Sequence, residues 1–422
     1  MATHVDSEDV AAEALEWLID SAVDTNAGVA WSTTRSSEER DPTLYSGGAG
    51  VVMALLEAYE HFGDDRFADL AVAASTELGA AIDTWKQSSL YFGLAGMAVA
   101  LQSVHDVTGD LNAQTNAARA LKRIRDRFDG ERWGDQFEML AGNAGIALGA
   151  LYLGDLDLAV MAVTPYLETA EATAVGVQWQ HRRGVGARLH HISHGTLGIV
   201  QALAAVGGAT GRPDFVELAL DGAADVVSRN ETSDDGFLVP HSDPPYRPEL
   251  IERINYGWCH GPAGDAQVFR LLAAVTANTE WMDLTDLCWH TVVTSGIPER
   301  IRPGFWDNSG RCCGTAGVLA FASDRFVERG EDPSFSRTLV DDICARATVD
   351  PTGARWSNVE YRTTPSNLEP RVGWAMGNAG IIRELLRFSR LERGGTADYF
   401  IAWPDQPRTG PLPLDSRQFE EL

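Results

Sequence analysis

Three thiols in this chain are spaced for metal chemistry. Cys259 lies in NYGWCHGPAG, residues 255–264, and Cys312 and Cys313 lie in RCCGTAG, residues 311–317. In both stretches a cysteine stands immediately before, or one residue before, a G-x-x-G pair that opens an apolar run. Thiolates are good zinc donors, and a zinc held by three protein ligands keeps a fourth position open. A thiol entering that position loses its proton near neutral pH and becomes a nucleophile. The same spacing also allows a vicinal disulfide between Cys312 and Cys313, or plain packing. Cys288 (DLCWH) and Cys344 (DICAR) sit inside helical patterns and read as small core residues.

The elements that must position these thiols are repeats. A glycine pair followed by an apolar helix occurs seven times, opening at Gly47, Gly93, Gly142, Gly195, Gly261, Gly314 and Gly377. The interval is about fifty residues. Between the pairs lie amphipathic stretches such as RPDFVELALDGAADVVSRN, with apolar residues at three- and four-residue spacing. Each repeat therefore reads as an αα-hairpin of one apolar and one half-exposed helix. Arranging seven hairpins around an axis, apolar helices inside, closes the array and leaves no end to cap.

The fold class predicted is all-α, an α/α-toroid of seven hairpins filling residues 1–422 as one domain, with a Pro-rich extended tail from about 403–422. The first glycine of each pair is expected at a tight turn that needs positive φ, and the second where a missing side chain permits close packing. The inner-helix N-termini then converge on one face, with their positive dipole ends around a central cavity.

Composition sets the limits. The 422 residues are 44% hydrophobic, enough for a core, and 60 Asp plus Glu stand against 34 Lys plus Arg for a net charge of -26. Such a field repels nucleic acid and anionic membrane surfaces. Lys86 and Lys122 are the only lysines, so a halophilic source and a GC-rich genome both fit. The acidic, amphipathic start and the lack of a long apolar run predict a cytoplasmic protein without a membrane span. In a reducing compartment five cysteines are expected as thiols or ligands rather than a disulfide framework.

Seven G-x-x-G hairpins, with WCHG in the fifth and a double cysteine before the glycine of the sixth, resemble the lanthionine synthetase C-like (LanC-like) proteins over essentially the whole chain. The resemblance implies an α/α-toroid holding one zinc ion, and in the cyclases the addition of a cysteine thiol to dehydroalanine or dehydrobutyrine. It makes Cys259 the first ligand. The second and third, usually Cys and His, are here Cys312 and Cys313, so this chain departs by offering three thiolates. The family's acid/base histidine falls on His194, just before Gly195, and its acidic partner, usually Asp, falls on Glu138. His260, directly after Cys259, reads either as a support that contacts substrate or enolate or as a solvent-facing residue. An Arg that the cyclases carry four residues before the first ligand is replaced by Asn255, and that role is not transferred to Arg253.

Other residues stay open. Asp135 reads as a loop or cap residue, and Phe305 and Trp306 as substrate wall or ordinary packing. His181, Arg182, Arg183, Arg188, His190 and His191 read as a basic loop, solvated or attracting an acidic peptide. The implied partners are a dehydroamino-acid peptide or protein, a thiol, and a separate dehydratase. The alternatives are a non-catalytic scaffold or regulator that binds zinc and a thiol such as glutathione, and a glycan-processing toroid. The last would need paired carboxylates along the cavity.

Overall fold

The computed structural model describes residues 6–232, 235–300, 306, 308–358, 368–396 and 398–406. In chain order its helices are α1 (Ser7–Asp20), α2 (Gly48–Phe62), α3 (Asp65–Ala81), α4 (Leu94–Thr108), α5 (Leu111–Asp126), α6 (Asn143–Tyr152), α7 (Leu156–Val163), α8 (Tyr166–Thr169), α9 (Thr196–Thr210), α10 (Pro213–Val227), α11 (Pro262–Thr276), α12 (Glu280–Thr294), α13 (Thr315–Arg329), α14 (Ser334–Ala345) and α15 (Asn378–Glu392).

Burial follows the sequence pattern. In α2 every residue from Gly48 to Ala58 is buried, whereas α5 buries only Ala113, Ala117, Ala120 and Ile124, a single helical stripe. The apolar helices accordingly go inside. Among the described residues α2, α4, α6, α9, α11, α13 and α15 form an inner ring in which each packs on the next and α15 returns to α2. Outside them α3, α5, α7, α10, α12 and α14 each pair with the inner helix before them. The seventh outer place is filled by α1, which packs on α15, so the last hairpin is built from both ends of the chain. The fold is an all-α toroid of seven hairpins, and no described helix is long and apolar enough to cross a membrane.

The junctions that open the inner helices have no side-chain caps; backbone carbonyls seven residues upstream take their place. Gly48 N–H donates to the Asp41 carbonyl, Leu94 to Gln87, Leu197 to His190 and Asn378 to Arg371. The expectation of positive φ at the first glycines is overturned: φ runs from -117 at Gly195 to -164 at Gly261, extended backbone. Crowding is the reason for glycine there, since a Cβ on Gly47 would stand 1.8 Å from the Asp41 carbonyl oxygen. The second glycines are crowded too. A Cβ on Gly264 would meet the Trp258 carbonyl at 1.9 Å and the Ile192 side chain of the preceding repeat at 2.7 Å.

That close approach lets the seven junctions bond to one another. Tyr45 N–H donates to the Tyr91 carbonyl, Tyr91 to Leu140, Leu140 to Ser193, Ser193 to Cys259, Cys259 to Cys312, Cys312 to Ala375 and Ala375 back to Tyr45, at 2.9–3.3 Å. Each of these residues lies two before the first glycine of its repeat. The backbone hydrogen bonds thus close a circle around the axis, and two of its members are cysteines.

Residues 398–406 run into the interior of the ring. Glu57 accepts from Phe400 and Ile401 N–H at 3.1 and 3.0 Å, and Trp403 stacks on Trp374 with centroids 4.9 Å apart. Tyr91 donates to the Asp405 carboxylate, while Gln201 and Gln267 donate to its backbone carbonyl. Burial pushes the Asp405 carboxyl up to about 6. The first residues of the Pro-rich tail therefore lie inside the toroid, and residues 407–422 fall outside the described part.

Candidate metal centre

The backbone circle fixes Cys259 and Cys312 as neighbours, and Cys313 follows one residue nearer the helix. The Sγ atoms of Cys259 and Cys313 are 3.2 Å apart, those of Cys312 and Cys313 are 3.4 Å apart, and all three lie within 4.8 Å of one another. Such separations are too long for a disulfide, whose sulfurs sit at about 2.05 Å. They are close to the roughly 3.8 Å between sulfurs on a tetrahedral zinc with bonds of about 2.3 Å. All five cysteines are free thiols. Three soft donors converging on one point fit zinc. Hydrogen bonds from Cys259 and Cys313, joined by the Tyr45 hydroxyl at 3.6 Å, hold the Cys312 thiol well below its ordinary range and favour its thiolate. Cys259 and Cys312 are buried, while Cys313 is partly exposed.

The residue just before the first glycine supplies a second set of side chains at these junctions. In the fourth, fifth and sixth repeats these are His194, His260 and Cys313. Glu138 accepts from Leu140 and Ala141 N–H at 2.7 and 2.9 Å, and its Oε2 stands 3.1 Å from His194 Nδ1. The longer Glu side chain therefore reaches the histidine. Burial opposes charge on His194, but Glu138, helped by Cys312, outweighs it and raises the imidazole above its ordinary value. The His194 side chain keeps 36% exposure, so it is open to a reactant.

His260 is tuned the other way. Burial, with His241, His194 and His191 nearby, holds it well below the ordinary value and keeps it neutral. Its Nδ1 lies 3.4 Å from Ser193 Oγ, and that hydroxyl donates to the Cys259 carbonyl at 2.8 Å. The serine proton is thus committed, so His260 Nδ1–H donates to Ser193 and its Nε2 is the free acceptor. The His194 and His260 rings are 5.6 Å apart.

Other sequence candidates separate cleanly. Asn255 accepts from Gly257 N–H at 2.8 Å and shapes the turn before Cys259, Arg253 pairs with Glu231 on the surface, and the Asp135 carbonyl accepts from Arg183 N–H. Trp306 is buried and donates its indole N–H to Thr315, so it packs, while Phe305 lies outside the described residues. The basic loop is not solvated throughout. His181, His190 and His191 are buried, Arg188 pairs with Glu171, and only Arg182 and Arg183 are exposed. Cys288 is buried in α12, as expected of a core residue.

Local sequence does not by itself mark Tyr45, Ser193, His191, His241 or Asp265 as site residues. Aligning the repeats on their first glycine would have flagged Tyr45 and Ser193, which share the position of Cys259 and Cys312. A cavity of about 160 Å³ borders His241, lined also by Tyr246, Ile251 and Arg253.

A family model described as "Lanthionine synthetase C-like protein" matches residues 38–249 and 245–339. No curated protein matches the sequence. Among solved structures the chain is similar to nisin cyclase, with a TM-score of 0.65 and 15% identity over 85% of this chain and 91% of that one. It is also similar to a glycoside hydrolase family 76 mannosidase from Bacteroides thetaiotaomicron VPI-5482, with a TM-score of 0.54 and 11% identity over 92% and 99% of the two chains. Likenesses at such identity show the toroid alone.

Proposed function

Because the chain belongs to the lanthionine synthetase C-like protein family, we propose that it adds a thiol across the double bond of a dehydroalanine or dehydrobutyrine residue in a peptide or protein. The observation that carries this reading is the cluster of three sulfurs within 4.8 Å of one another, beside a histidine tethered to a buried carboxylate. Cys259, Cys312 and Cys313 would hold zinc, which supplies the Lewis acidity that turns a bound thiol into a thiolate near neutral pH.

The chain's own residues handle the protons. His260, neutral with Nε2 free, accepts the proton of the entering thiol. As sulfur bonds to the β-carbon the π pair moves onto the acceptor, and His194, kept protonated by Glu138, delivers a proton to the α-carbon. Two imidazoles pushed in opposite directions provide one acid and one base. The rings are 5.6 Å apart, beyond direct proton transfer, so the proton taken by His260 returns to His194 through solvent between turnovers.

The carboxylates here do not support a glycan-processing reading. Glu138 and Asp265 are each taken by an imidazole, at 3.1 and 2.8 Å, and do not face each other as an acid and nucleophile. For a ribosomal peptide substrate, a separate dehydratase makes the dehydro residues.

The test begins with metal analysis on protein purified under reducing conditions. We expect about one zinc per chain, lost in C259A. Thiol addition to a dehydroalanine peptide, followed by mass spectrometry, should then fall about a hundredfold or more in H194A. Zinc without turnover on any dehydroalanine peptide would leave a thiol-binding scaffold. Absence of zinc from fully reduced protein would sink the metalloenzyme reading.

A further inference from the structure

The fourth and fifth repeats carry a buried carboxylate–imidazole pair that the reaction above does not use. His191 Nδ1 lies 2.8 and 3.0 Å from the two carboxylate oxygens of Asp265, with both side chains essentially without solvent exposure. Asp265 directly follows the second glycine of its repeat. The other six repeats have Val51, Met97, Ile146, Ile199, Val318 and Ile381 at that point. An aliphatic residue therefore suffices for the fold there, while a buried carboxylate costs several kcal/mol unless it is paired.

The geometry of the repeats says what the pair stands beside. Glu138 lies four residues before the first glycine of the third repeat, and it supports the residue just before the first glycine of the fourth, His194. His191 lies four residues before the first glycine of the fourth repeat. One step further round the ring, the corresponding neighbour is His260, whose ring is 6.2 Å from His191 and crosses it at 70°. Since a carboxylate only accepts, His191 Nδ1 carries its proton and Nε2 is left as an acceptor; that nitrogen is buried and without a partner. The His241 ring closes the other side at 4.3 Å, its Nε2 likewise buried and without a partner.

We propose that Asp265 and His191 are a positioning pair for His260, a second carboxylate–imidazole support built one repeat round the ring from Glu138 and His194. The pair rests on the reading of the cysteine–histidine cluster as a thiol-addition site. Asp265 fixes the tautomer and tilt of His191, and His191 with His241 confines the ring of His260 so that its Nε2 faces the cavity. The toroid thereby presents two separately supported imidazoles and a thiol ligand at three successive equivalent positions.

The test is D265N, which keeps size and shape but can donate as well as accept. Expected is a fall in kcat of about ten- to a hundredfold with KM and zinc content unchanged. The fall should vanish in an H260A background and multiply with that of H194A. In protein labelled with nitrogen-15 at histidine, the His260 ring signals should shift in D265N while those of His194 stay. Unchanged kcat with unmoved His260 signals, or an equal loss with and without His260, overturns the pair. If D265N does not fold, the double variant D265V/H191L replaces the pair by apolar residues like those of the other repeats. A folded double variant with lowered kcat and moved His260 signals supports the proposal; one with wild-type kcat overturns it. If the wild type adds no thiol, the reaction fails on its own account, and the His260 signals in D265N still decide the coupling.

Discussion

Glu138 does at residue scale what no substitution by a neutral isostere can do, because its carboxylate is buried and bonded to two backbone N–H groups as well as to His194. The raised His194 makes the sign of a pH experiment definite. A donor that stays protonated to higher pH sustains activity to higher pH, so the alkaline limb of kcat/KM should move to lower pH in E138Q. Stability follows the same proton. A histidine raised in the folded state contributes most below its unfolded value, about 6.5, and loses the contribution as pH rises through the folded value. The melting-temperature difference between wild type and E138Q should therefore shrink as pH rises. A limb that stays in place would detach Glu138 from the proton transfer. The Glu138–His194 and cysteine contacts were legible in the sequence because each residue occupies a marked repeat position. The Asp265–His191 pair was not, since its members are 74 residues apart and no local pattern joins an acid on one inner helix to a histidine in the preceding loop.

At the scale of elements, the glycines were legible as a repeat but not as geometry. Their extended φ shows that contact with neighbouring backbone selects glycine, and the left-handed residues lie at the other end of the inner helices instead. Gly63, Gly109, Gly211 and Gly330 end α2, α4, α9 and α13 with φ of 64 to 75. The equivalent residue after α11 is Ala277, at φ 55, where a Cβ is strained. Ala277→Gly should therefore stabilise the protein by about 0.5–1 kcal/mol, after allowing for the greater freedom of glycine in the unfolded chain. Gly264→Ala should do the reverse by about 3 kcal/mol or more, because its Cβ meets a carbonyl rather than a yielding side chain. Thermal unfolding of the two variants checks both signs. A Gly264→Ala protein as stable as wild type would mean that the junctions are not as closely packed as the circle of backbone bonds requires.

The whole molecule is closed by residues that sequence periodicity does not connect. Helix α1 becomes the outer partner of α15, and residues 398–406 occupy the middle of the ring, so the two chain ends complete a structure whose repeats lie between them. Periodicity reports repeats, whereas which end pairs with which depends on the curvature of the closed array. The net charge of -26 acts at this same scale. Charges further apart than about 10 Å are screened at 0.1 M salt, and the range shrinks to about 3 Å at 1 M. At low salt the field over the cavity mouth is the sum over much of the acidic surface, and it favours a cationic approach. A dehydroalanine peptide carrying several lysines should then lose about tenfold in kcat/KM between 0.05 and 0.5 M NaCl, through KM, while an otherwise identical peptide with glutamates gains. Because His194 interacts with the Cys312 charge and stands 5.6 Å, ring to ring, from His260, these short-range interactions are screened much less, and kcat should hold nearly constant. A salt effect on kcat alone would place the acidic surface in control of the chemistry rather than of the encounter.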